Sequence, residues 1–113
     1  MAGEKKIDEA WKEATAKEKE ARPQETRDLP EVDFKIFMSG LMTEALIALG
    51  ELDNPVSNKK ETSLVHAKFI IDTLSMLEAK TKNNLTGEET EMLSAILYAL
   101  RMKYVALVNQ GVK

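Results

Sequence analysis

A single histidine, His66, is the natural starting point for acid–base or metal chemistry, since imidazole ionises near neutral pH and is a common metal ligand. A metal site needs several ligands in set geometry. The chain offers no second histidine, no cysteine and no H-E-x-x-H spacing. Flanked by Val65 and Ala67, His66 reads as a partly exposed helical residue. Ser63, His66 and Asp72 supply the residue types of a hydrolytic triad, but no G-x-S-x-G elbow gives the serine a nucleophile's setting. There is also no P-loop and no G-x-G-x-x-G run. The glycines are scattered at positions 3, 40, 50, 87 and 111, so no backbone cradle for phosphate is recognisable. Lys59-Lys60 and the Lys80/Lys82 pair are candidates for a phosphate-contacting surface. A net charge of -3 argues against a protein that works by neutralising phosphates. Lys80 and Lys82 fit better as cations at a helix C-terminus. The expectation is a non-enzymatic chain with no catalytic, cofactor-binding or metal-ligating set.

One charged pair stands apart. Asp72 and Arg101 sit within strongly apolar stretches. If those stretches form an antiparallel helical hairpin closing near Asn83–Thr86, position 72 lies nearly opposite position 97 and Arg101 is one turn away. The pair is expected to be a buried ion pair that fixes helix register. Its functional counterpart is a polar pocket with Tyr104. Truncating one member of a buried pair is costly because it strands the other charge.

The elements that would position these residues follow from periodicity. Between Glu4 and Arg22, 12 of 19 residues are charged, with acid-first i,i+4 pairs such as Asp8–Lys12, and only Ile7 and Trp11 are sizeable apolar residues. That pattern makes a solvated helix of marginal stability ending before Pro23. Residues 23–32 carry two prolines and read as a linker. Residues 1–32 are therefore an N-terminal arm and linker, and 33–113 a helical core domain. In the core, Phe34, Phe37, Met38, Leu41, Ala45 and Leu49 fall on one helical stripe, with Asp33 as N-cap and Gly50 as stop. A long polar loop follows, then a second helix from about Ser63 to Lys82. Thr86-Gly87-Glu88-Glu89 opens a third with a capping box, Thr86 and Glu89 bonding reciprocally. The link of about four residues makes the last two helices an antiparallel hairpin. The fold class is all-α: a three-helix core of helix, long loop and hairpin, with a charged, partly helical arm.

From Met92 to Val108, 14 of 17 residues are apolar, so this helix must be covered on nearly every side. Two other helices cannot easily do that in so small a domain. A membrane span would hide it too, but Arg101 and Lys103 near its middle oppose insertion. The expectation is self-association, a two-fold dimer first, through Leu93, Ile96, Leu97, Leu100 and Tyr104.

The run Ile71-Asp72-Thr73-Leu74, Met76-Leu77, Lys80-Thr81-Lys82-Asn83-Asn84-Leu85-Thr86, then Leu100-Arg101-Met102 and Tyr104-Val105, resembles a bacterial family known as domain of unknown function 1844. The resemblance covers roughly Phe34–Val105 and includes the Leu49-Gly50 helix end. Asn83 stands where the family pattern has glycine. The resemblance implies a compact helical fold in bacteria and no assigned activity.

Together these features suggest a homo-oligomeric helical interaction protein, with Ile7 and Trp11 available to dock a protein partner. A nucleic-acid- or ribosome-associated factor is the first alternative, and an enzyme with an interface pocket near Asp72 and Arg101 the second. No secretory signal is evident, and the absence of cysteine fits a reducing cytoplasm.

Overall fold

A computed structural model describes the backbone of residues 2–21 and 29–112 and the side chains of residues 5–17 and 29–112. The chain divides into two compact units, Met1–Glu31 and Val32–Lys113. The first contains helix α1, Ala2–Ala21. Its side chains over 5–17 are all exposed, and Asp8 and Lys12 lie 3.8 Å apart as an i,i+4 pair on that solvated surface. Most of the expected proline-bearing linker lies outside the described residues.

The second unit is all-helical, with α2 (Phe34–Ala48), α3 (Leu64–Lys80) and α4 (Gly87–Asn109). Each of the three packs against both others. Each also begins on a side-chain cap: Asp33 accepts from the Ile36 amide, Ser63 from the His66 amide, and Thr86 from the Glu89 amide. The Glu89 carboxylate reaches back to the Thr86 amide at 2.9 Å, completing the expected capping box. Thr86→Ala should lower unfolding free energy by about 1 kcal/mol, the usual size for a lost N-cap hydroxyl. Urea denaturation checks this, and an unchanged midpoint would show that the cap is energetically idle.

The helix ends are equally local in origin. At α2, the Gly50 amide donates to Ile47 O and the Glu51 amide to Leu46 O. At α4, the Gly111 amide donates to Val108 O and the Val112 amide to Leu107 O. Both are Schellman motifs, which need a left-handed residue just past the helix. Gly50 and Gly111 supply it at φ of 80° and 82°.

Two ion pairs show the direction of α2 against α4. Lys35, in the first turn of α2, reaches Glu88, in the first turn of α4, at 2.5 Å. Glu51, just after α2, reaches Lys103, late in α4, at 3.2 Å. The two helices therefore run the same way. The Glu88 contact raises the Lys35 pKa, and Lys35 in turn lowers that of Glu88. The pair thus adds stability only between the two titrations. It is lost as pH falls through the Glu88 value and as pH rises through the Lys35 value. Both groups are well solvated, so the contribution is small. Helix α3 runs opposite to both, joined to α4 by the turn at 81–86.

The core is a single apolar cluster. Met38 and Ala45 come from α2, Ala67, Ile70 and Leu74 from α3, and Leu93, Leu97 and Leu100 from α4. No polar or charged residue is buried among the described ones. Residues 49–63 connect α2 to α3 and fold back on themselves. Leu49 bridges Thr62, Asn54 bridges Lys59, and the Ser63 amide returns to Ala48 O.

Candidate functional site

The seam between α3 and α4 gathers Asp72, Arg101 and Tyr104, three of the residues to which the sequence assigned chemistry. Lys68, Ile71 and Asp72 from α3 and Arg101, Tyr104 and Val105 from α4 line one shallow cleft of about 190 Å³. A neighbouring depression brings Leu64, Val65 and Phe69 beside Tyr104. The hairpin topology thus places Asp72 and Arg101 together, as expected, but not as a buried ion pair. The Asp72 carboxylate accepts from Lys68 at 2.6 Å, one turn back on its own helix. Its side chain is 62% exposed. Arg101 is also exposed and donates from Nη2 to Ser75 Oγ at 3.2 Å. Both charges stand on the outward side of the hairpin, where water already solvates them and burial imposes no need to pair. The hydrogen bond and charge of Asp72 raise the pKa of Lys68.

The expected oligomer seam needs a similar correction. Leu93, Leu97 and Leu100 are each 1% exposed, and Ile96 is also buried, all within one copy. They are the face of α4 that α2 and α3 cover, so they are not free to meet a second chain. Tyr104 is half-buried at the edge of this face. What remains uncovered is the opposite side of α4, where Tyr98 is 69% exposed and Met102 53%, with Val105 and Val108 about half exposed. The adjoining outer side of α3 exposes Val65, Phe69 (68%) and Met76. Sequence reasoning did not single out this surface. Its signal was present in the all-round apolar character of α4, but that same character hid which side faces inward.

The remaining candidates are dispersed. Ser63 is a helix cap that holds the His66 backbone, and Asp72 holds Lys68, so the three triad residue types do not assemble. His66 is exposed. No cluster of three or more metal-ligating side chains exists among the described residues. Lys59-Lys60 precede α3 and Lys80/Lys82 end it. The 17 residues of that helix separate the two basic pairs by about 25 Å, so they make no single phosphate-tracking stripe. No described helix is long and apolar enough to cross a membrane. In the arm, Ile7 and Trp11 are both exposed, 72% and 67%, one turn apart on α1.

At the closed end of the hairpin, an open cavity of about 700 Å³ is lined by Ser75, Glu78, Lys82, Asn83 and Leu85, with Leu93 among its apolar lining residues. Two of its hydroxyls are already spent on the backbone: Thr81 Oγ1 donates to Leu77 O and Thr90 Oγ1 to Thr86 O. Asn83 adopts a left-handed φ of 71°. The K-T-K-N-N-L-T run thus makes the turn that sets the hairpin.

Residues 31–106 match the family described as Domain of unknown function (DUF1844). The chain belongs to this family. Position 83 needs a positive φ, which glycine reaches most easily. Asparagine is among the few other residues that reach it at modest cost. The match spans α2, α3 and nearly all of α4, leaving α1 outside the DUF1844 region. No curated protein and no solved structure matches the chain.

Proposed function

We propose that this DUF1844 chain is a non-enzymatic interaction protein that acts as a homo-oligomer, a dimer first, rather than as a catalyst. The observation that carries this reading is the apolar outer surface of the α3–α4 hairpin. Phe69, Tyr98 and Met102 are each more than half exposed there, with Val65, Met76, Val105 and Val108 around them. Large exposed apolar side chains gathered on one side of a small domain point to an interaction site. Here they coexist with a completed core, so a second molecule has a surface to cover without any rearrangement of the first.

The arm supports a second contact of the same kind. Ile7 and Trp11 form an exposed i,i+4 pair on an otherwise charged helix, the pattern of an anchor for a helix-binding groove. The alternative of a nucleic-acid-associated factor draws less support, because the basic pairs sit at opposite ends of α3. A cleft of 190 Å³ beside Asp72 and Arg101 is also small for a substrate site.

Light scattering at micromolar concentration tests the reading. The expected result is twice the chain mass or a higher multiple. A monomer at that concentration would overturn the homo-oligomer. Trp11 is the sole tryptophan, so its emission in the same sample reports the arm: a solvent-exposed indole when the arm is free, and a blue shift when a partner takes it up.

A further inference from the structure

We propose that two copies pack hairpin to hairpin about a two-fold axis running along the α3–α4 seam, so that Asp72 of each copy pairs with Arg101 of the other. This rests on the self-association proposed above and specifies its geometry. Four observations favour it. The two charges line one cleft on the uncovered side of the hairpin. They do not pair with each other inside the chain. Each keeps bonding capacity to spare: Asp72 engages Lys68 through Oδ2 alone, and Arg101 uses one donor of the five on its guanidinium. Finally, apolar residues flank them in both directions along the seam. Val65 and Phe69 lie toward the end where α4 carries Val105 and Val108, and Met76 lies in the half that holds Tyr98.

The charge arrangement selects the axis. A two-fold axis along the seam lays each α3 over the partner's α4. Acid then faces base twice, and Phe69 and Val65 meet the valines of the partner's α4. An in-plane axis at right angles would lay α3 on α3 and α4 on α4, opposing Asp72 to Asp72 and Arg101 to Arg101. Like charges facing each other across an interface are strongly disfavoured. The partner is therefore a second copy of this chain, and the seam is self-complementary in the sense a closed dimer requires.

The test uses the full chain with Asp72→Arg and Arg101→Asp, each checked for helical content. Alone, each variant places like charges against each other twice in a homodimer and should raise the dissociation constant by about a hundredfold or more. Mixed one to one, the two variants should form a heterodimer, because every seam charge then meets its opposite. If wild type is a monomer, the self-association reading fails. If wild type is a dimer but both variants dimerise as tightly, or the mixture stays monomeric, this geometry fails and self-association stands. Should a charge reversal unfold the chain, Asp72→Asn and Arg101→Gln decide. A shared bond makes the double variant dimerise about as weakly as either single one, whereas additive losses would show that the two side chains do not meet.

Discussion

Leu97→Glu is expected to abolish the folded core, leaving a chain with little helical circular dichroism at room temperature. Leu97 is 1% exposed in the middle of α4, on the face shared by α2 and α3. A carboxylate there has no buried polar group to pair with, since no polar or charged residue is buried among the described ones. Removing the side chain alone, as in Leu97→Ala, should cost about 2–5 kcal/mol through lost burial and the cavity left behind. A small domain holds only about 5–15 kcal/mol in total, so an unpaired charge in the same place exceeds what it can lose. The control is Met102→Glu. Met102 lies on the outer side of the same helix, so that variant should stay helical and lose self-association instead. A well-folded Leu97→Glu protein would mean that α4 buries a different face.

Gly50→Ala is expected to be the most damaging single-methyl change, at roughly 2–3 kcal/mol in urea or thermal unfolding. Two effects add. The left-handed φ of 80° costs an L-residue about 1–2 kcal/mol. A methyl group at Gly50 would also overlap Thr62 Oγ1, which the Leu49–Thr62 bridge holds against it. Gly111 separates the terms, because it has nearly the same φ but open space where its Cβ would go. Gly111→Ala should therefore show only the backbone cost. Adding Thr62→Ala to Gly50→Ala should bring its loss down toward the Gly111→Ala value. If the two glycine variants cost the same, the overlap with Thr62 is relieved for free.

Much of this architecture could be read from residue order because its determinants are local. Asp33, Ser63 and Thr86 precede their helices, Gly50 and Gly111 follow theirs, and each such signal acts within one turn. The short 81–86 turn likewise fixed the hairpin. The sidedness of α4 was not legible. A helix with alanine, leucine, methionine, tyrosine and valine on every side has no single apolar stripe, so Leu97 inside and Met102 outside look alike in the sequence. Asp72 and Arg101 were misplaced for the same reason. Apolar neighbours along the chain suggest burial, yet Phe69, Met76, Met102 and Val105 are themselves exposed. The pairing of Asp72 with Lys68 was available as an ordinary i,i+4 spacing.

The connections of the bundle also decide how it can assemble. Helices α3 and α4 are joined by a short turn, so closing that hairpin costs little loop entropy. Helix α2 must find that hairpin across residues 49–63, and its docking is rewarded only once the base of the loop is clasped at Ala48–Ser63 and Leu49–Thr62. The α2–α4 contacts, Lys35 with Glu88 and Glu51 with Lys103, span 53 and 52 positions of sequence, so α2 has the largest loop-closure entropy to meet. The Schellman end at Gly50 stands at the start of that loop, so it bears on how α2 docks as well as on where the helix stops.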